Sequence, residues 1–160
     1  KGKWFNHRYL QEAPVERIAA LFSPVLEQHH VAVPANLESI LSVVRDRVQL
    51  IPQLWDETYF FFMAPEEYDE KTVKKRWKAE SSLQMREIID LLNAQPAFES
   101  EALEEALNSF IQTKEYSGVM NALRLALVGA PKGPHINEIL YLLGREESIR
   151  RIERAIAQLG

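Results

Sequence analysis

The side chains able to do chemistry are few in kind. His29 and His30 are neighbours, so on a helix their imidazoles diverge by about 100° and share one metal ion poorly. Paired helical zinc ligands stand four residues apart instead. His7 and His135 each stand alone, and there is no cysteine. That removes disulfides, thiolate zinc sites and cysteine nucleophiles. The carboxylate pairs Glu104/Glu105 and Glu146/Glu147 lie in polar helical stretches, whereas general acid–base work needs a perturbed carboxylate in a cleft. The chain has 6 glycines, with no G-x-x-x-x-G-K-(S/T) loop and no G-x-G-x-x-G turn among them, so neither kind of phosphate cradle is present. These residues point to a domain that binds and has no active site, metal or cofactor of its own.

Three arginines interrupt apolar stretches. Arg45 and Arg47 stand beside Val44 and Val48, and Arg124 lies between Leu123 and Leu125, close to Gly129. An arginine in such a place either pairs with a carboxylate of the fold or offers its planar guanidinium to a ligand. Single-stranded RNA is read in the second way, by stacking and by hydrogen bonds to splayed base edges. Two basic runs accompany them, Lys71 to Lys78 and Arg145 to Arg154. The formal net charge is −4, which argues against bulk electrostatic attraction to nucleic acid. A basic face on an acidic protein still meets phosphate, although intrahelical ion pairs on a solvated surface explain the same residues.

Helical periodicity positions these groups. Pro14 suits a helix start, and Val15, Ile18, Leu21, Phe22, Val25 and Leu26 follow on one stripe. Pro34 marks a break. Leu37, Ile40, Leu41, Val44, Val48 and Ile51 recur at spacings of 3 and 4, predicting one amphipathic helix up to Pro52. An aromatic piece follows, with Leu54, Trp55, Tyr59, Phe60, Phe61 and Phe62, and then a loop over 64–69. A basic helix is expected over 70–78. Ser81 or Ser82, Ser100 and Ser117 are placed to cap later helices, and Gly129 to stop one. Pro134 opens a short helix ending at Gly144, and a last helix runs from Glu146 to Leu159. No strand-like alternation persists. The expectation is an all-α fold of about eight helices in two packed subdomains, residues 1–70 and 71–160.

The 160 residues, 46% of them hydrophobic, suffice for one good core or two small ones. No apolar run approaches the roughly 20 residues of a membrane span. Lys1 to Trp4 has no leader-like apolar region, so the segment is expected to begin inside a longer protein.

Three segments carry a resemblance. Ala122 to Gly129 (ALRLALVG), the Gly133–Pro134 turn, Glu138 to Glu147 (EILYLLGREE) and Arg151 to Ile156 (RIERAI) closely resemble the C-terminal signature of glutamyl-tRNA synthetases. There an L-R-x-L-x-x-G helix, a Gly/Pro turn and an E-I-x-x-L-L-G-(K/R)-E helix occur in this order. Lys3 to Leu10 (KWFNHRYL) resembles that family's W-x-N-x-x-Y-(I/L) element. Arg45-Asp46-Arg47 through Trp55 to Phe62 is similar to its R-x-R…(Y/F)-x-F stretch. The H-x-G-H and K-x-S-K-like signatures of the family's ATP-using half do not occur here.

The resemblance implies a two-part anticodon-binding helical region of a class I glutamate–tRNA ligase. Residues 1–70 would follow the stem-contact region, and 71–160 would be the second, anticodon-binding part. The parent enzyme would use ATP and Mg, act in the cytoplasm in protein biosynthesis, and be a monomer. The chain's partners would be the glutamate-accepting tRNA and the catalytic domain of the same polypeptide, with no membrane. The family's base-reading arginines map onto Arg45 or Arg47 and onto Arg124. An apolar contact to the last anticodon base maps onto Ile136, where the family often has Leu. Lys74, Lys75 and Arg151 are the candidate phosphate contacts, which position RNA without reading it. The competing expectation is a protein-interaction domain whose exposed Trp55, Phe60, Phe61 and Phe62 form a docking patch. Burial of these rings would speak against it.

Overall fold

The computed structural model describes residues 10–160. The opening motif before Leu10 lies outside them. After the helical residues 10–12, the described residues form nine α-helices and two 3₁₀ turns, with no strand among them. The all-α expectation holds. The chain divides into two compact units between Met63 and Ala64.

The first unit holds α1 (Val15–Gln28), α2 (Leu37–Val44), 3₁₀ turns at Arg45–Arg47 and Ile51–Gln53, and α3 (Leu54–Phe62). Its core holds part of the predicted stripe: Ile18, Phe22 and Leu26 of α1 are fully buried, as are Leu41 and Val44 of α2, whereas Leu21 is 45% exposed. Pro24 lies inside α1, where the lost N–H and ring crowding cost about 3 kcal/mol. Burial of the α1 stripe offsets this.

The helix expected over residues 37–51 is shorter. α2 ends at Val44, and Val48 is extended, with φ −124° and ψ 155°. A helix running on through Pro52 would press its ring against the Val48 carbonyl. The chain instead breaks and restarts with Pro52 in the first turn of Ile51–Gln53, where proline is tolerated. In α3, Phe60 is fully buried and Phe61 is 9% exposed. Trp55 is half-buried and stacks on His29, with ring centroids 3.7 Å apart and planes 3° from parallel.

The second unit holds α4 (Glu70–Arg76), α5 (Ser81–Asn93), α6 (Ser100–Lys114), α7 (Val119–Val128), α8 (Ile136–Leu143) and α9 (Arg145–Leu159). α9 packs on α5, α7 and α8, while α6 packs on α8 and α4 on α7. Residues 64–70 fall in this unit rather than with the first, for a local reason. Gly129 ends α7 at φ 86°, and its backbone meets Pro65 so closely that a Cβ there would stand 2.6 Å from the proline Cβ. The Asp69 N–H donates to the Gly129 carbonyl at 2.9 Å. The Asp69 carboxylate then caps α4, accepting from the Thr72 N–H at 3.1 Å and the Thr72 hydroxyl at 2.6 Å.

The serine caps are displaced. Ser100 is the first residue of α6, behind Glu99, and its hydroxyl accepts from Asn137 at 2.8 Å, tying α6 to α8. Gly118 at φ 77°, next to Ser117, precedes α7. The Gly129 stop is where the spacing placed it.

Candidate nucleic-acid interface

α6, α7 and the start of α8 converge on a cleft of about 270 Å³. α7 brings Met120, Asn121 and Arg124 to it at spacings of 1 and 3. α6 brings Glu104, Leu107 and Asn108, one helical turn of one face. His135, Ile136 and Asn137 complete the wall at the α8 N-terminus. Two of the residues singled out in the sequence, Arg124 and Ile136, thus meet in one place.

Arg124 has a second task. Its Nη1 donates to the carbonyls of Lys132 and Gly133 at 3.1 Å each and of Pro134 at 2.8 Å. The Gly/Pro turn that leads into α8 is therefore folded around the guanidinium. A guanidinium fixed in this way is a stacking platform whose orientation no longer costs entropy. Ile136 is 5% exposed and gives the cleft an apolar wall. Asn108, Asn121 and His135 add polar edges. Sequence reading did not select these three. The only available signals were that Asn108 lies one residue beyond Leu107, and that Asn121 and His135 flank Ala122 and Ile136.

The other predicted residues separate. Arg45 is half-buried, and its Nε donates to the Leu10 carbonyl at 2.8 Å and its Nη2 to the Ala13 carbonyl. Arg47 has a side chain 43% exposed and lies 3.5 Å from the Glu57 carboxylate. The open choice between the two arginines is thereby sharpened: Arg45 braces the first unit, and Arg47 faces solvent.

Lys74 and Lys75 are both exposed in the last turn of α4, where cations also complement the helix dipole. Arg151 is a correction. It is 2% exposed, its Nε donates to Glu147 at 2.7 Å and its Nη1 to the Leu127 carbonyl at 2.8 Å. A residue so enclosed meets no phosphate. Two of its neighbours in the run, Arg145 and Arg150, are also occupied. Arg145 donates to the Asn93 and Gln95 carbonyls and lies over the Phe98 ring, and Arg150 bonds Glu147. Burial alone would push the Glu147 carboxyl up, but the bonds from Arg151 and Arg150 hold it below the ordinary carboxylate range.

Among the described residues, no helix is long and apolar enough to cross a membrane.

Comparison with known proteins fits this geometry. The family model for an anticodon-binding domain matches residues 17–156. The glutamate–tRNA ligase of Porphyromonas gingivalis is 47% identical over the whole chain, which spans 32% of that protein. That of Parabacteroides distasonis is 48% identical over 98% of the chain, again 32% of its own length. A glutamate tRNA ligase structure from Elizabethkingia meningosepticum, in complex with its amino acid, superposes with a TM-score of 0.91 at 34% identity over 99% of the chain and 32% of its own. The chain thus spans about a third of the length of these relatives. With an all-helical architecture, a cleft built from an arginine-braced turn, and a family match over nearly all of its length, the chain belongs to the anticodon-binding domain family.

Proposed function

We propose that the chain is the anticodon-reading part of a glutamate–tRNA ligase, and that the α6–α7–α8 cleft receives an anticodon base. The observation that carries this reading is the convergence of Arg124 and Ile136 on one cleft, with the Arg124 guanidinium locked by three carbonyls. A planar cation beside an apolar wall suits a flipped-out base, which must recover a few kcal/mol of lost stacking. In the first unit, Arg47 is the base-reading arginine, because Arg45 is spent on the Leu10 and Ala13 carbonyls. Lys74 and Lys75 contact phosphate and set position without sequence.

The remaining two thirds of such a ligase would use ATP and Mg to activate glutamate, in the cytoplasm, as a monomer. This chain would supply recognition only. The docking-patch reading is disfavoured, because Phe60 and Phe61 are buried inside the first unit.

The test is tRNA binding by the full-length protein with each anticodon base varied singly. Arg124→Ala should cost about 1–3 kcal/mol with the cognate loop and flatten discrimination at one position. Arg47→Ala should do the same at a different position. An equal loss for every anticodon with either variant would refute the assignment.

A further inference from the structure

We propose that Glu87, on α5 and outside the α6–α7–α8 cleft, is a positioning residue for RNA recognition: it pins the turn that joins two walls of the cleft. The inference rests on the reading that the cleft receives an anticodon base, and it adds a residue that touches no RNA yet sets the shape of the site.

The elements around the cleft are not held alike. α5 and α7 pack on one another, and α9 packs on both. Met85, Ile88 and Leu92 of α5 are fully buried, so Glu87 stands on a fixed helix. α6 packs most extensively on α8, and of its 15 residues only Leu103 and Leu107 are buried. Neither lies in its last two turns. Its first turn is tied to α8, where Asn137 donates to the Ser100 hydroxyl at 2.8 Å. Asn108, which lines the cleft, opens the less buried half.

The far end of α6 is anchored through Glu87 instead. The Tyr116 hydroxyl donates to Glu87 Oε1 at 2.5 Å, and Lys114 Nζ lies 3.0 Å from Glu87 Oε2. Both oxygens of one α5 carboxylate are thus used on the end of α6. The Tyr116 bond, and then that of Lys114, hold the Glu87 carboxyl below the ordinary carboxylate range. The Lys114 side chain is 45% exposed, and such an ion pair contributes little. The charge-assisted bond from the half-buried Tyr116 is the stronger tie. The Tyr116 ring meets Phe110 of α6 edge-on, with centroids 5.7 Å apart, so the tie reaches the helix itself.

The anchored segment is a strained turn between two walls. Glu115 ends α6 at φ 57°, and Gly118 precedes α7 at φ 77°. A left-handed backbone costs free energy for any residue with a Cβ, so the turn keeps this form only while its surroundings impose it. Tyr116 lies between these two residues. Asn108 stands eight residues before it and Asn121 five after it, and both line the cleft. Releasing Tyr116 from Glu87 therefore frees α6 to shift against α7.

The experiment measures affinity of the full-length protein for glutamate tRNA. Glu87→Ala, Tyr116→Phe, Arg124→Ala and Arg47→Ala are taken singly, and the first two are also combined with each arginine variant. Circular dichroism checks that each variant is folded at the temperature used. Removing an acidic charge by itself strengthens RNA binding, and Tyr116→Phe changes no charge. Positioning predicts the reverse: Glu87→Ala weakens binding about fivefold to tenfold and Tyr116→Phe about threefold, as for residues that act without touching the ligand. With Arg124→Ala already present, either change should weaken binding by less than about twofold more, because the cleft is then already impaired. With Arg47→Ala, in the first unit, the losses should multiply. Amide hydrogen exchange over residues 108–118 should quicken by about tenfold in Tyr116→Phe, with α5 and α9 unchanged. Affinity unchanged or raised in both Glu87→Ala and Tyr116→Phe, with Arg124→Ala impaired, overturns the role of Glu87 and leaves the cleft reading standing. Losses that multiply with Arg124→Ala overturn it too, since Glu87 would then act elsewhere. Should Glu87→Ala not fold, Tyr116→Phe alone decides between these outcomes. If Arg124→Ala leaves tRNA affinity unaffected, the cleft reading itself fails, and this inference falls with it.

Discussion

Replacing Arg151 by methionine removes a buried cation while keeping much of its aliphatic bulk. The loss is of two strong contacts: Nε to Glu147 at 2.7 Å and Nη1 to the Leu127 carbonyl at 2.8 Å. Hydrogen bonds to a charged group contribute about 1.5–3 kcal/mol each. Breaking a buried pair from one side costs about 3–5 kcal/mol, because the other partner is left without compensation. Glu147 retains Arg150 and is part-exposed, which relieves some of this, whereas the Leu127 carbonyl has no such relief. We therefore expect a loss of about 3 kcal/mol. With a urea m-value of about 2 kcal/mol/M, the unfolding midpoint falls by about 1.5 M. The assay is urea denaturation followed by far-UV circular dichroism, with RNA affinity measured against salt under conditions where the variant is folded. The salt slope should not change, because a 2%-exposed residue neutralises no phosphate. A stability loss under 1 kcal/mol, or a reduced salt slope, would refute the placement of Arg151 as an internal brace.

Three further outcomes follow from other sites. Gly129→Ala should destabilise by about 2–4 kcal/mol in the same denaturation assay, since φ is 86° and the added carbon would meet Pro65 at 2.6 Å and the Glu67 carbonyl at 3.0 Å. Lys75→Ala should weaken binding to all anticodon variants alike and lower the salt slope by about 0.7–0.9, with stability within about 0.5 kcal/mol of wild type. Acid should destabilise the second unit through Glu147: its folded carboxyl titrates below the unfolded one, so its contribution is complete above the ordinary carboxylate range and is lost as pH falls through the folded value. Glu147→Gln should thus be less stable than wild type at pH 7, with the difference shrinking as pH falls into the acid range, as read by thermal melts.

The helical class was legible because apolar residues recur at 3 and 4 along nearly every element, and because Pro14, Gly129 and Gly144 punctuate them where helices begin and end. The premature end of α2 was less so. The apolar period ran on through Val48 and Ile51, and only the ring of Pro52 against the Val48 carbonyl decides against it. Arg45 and Arg47 were indistinguishable by neighbourhood. What separates them is a contact across 35 and 32 positions of sequence, from Arg45 to Leu10 and Ala13, which no local pattern encodes. Arg151 was legible and misread. Ser148, Arg151, Ile152, Ala155 and Ile156 are the buried face of α9, spaced by 3, 1, 3 and 1, so helical spacing put Arg151 on the core side. Grouping it with Arg145, Arg150 and Arg154 as a charge run hid this. The cleft itself joins three helices, and of its lining only Arg124 and Ile136 were read from the sequence as base contacts.

The central claim is that an anticodon base enters the α6–α7–α8 cleft. The most direct measurement is photo-crosslinking of the full-length protein to glutamate tRNA carrying 4-thiouridine at single anticodon positions, with the attached peptides mapped by mass spectrometry. For one position the crosslink should fall on Asn108, Asn121, Arg124, His135 or Ile136, and unmodified tRNA should compete it away. Crosslinks confined to other surfaces of the chain, or absent at all three positions while the tRNA remains bound, would contradict the account.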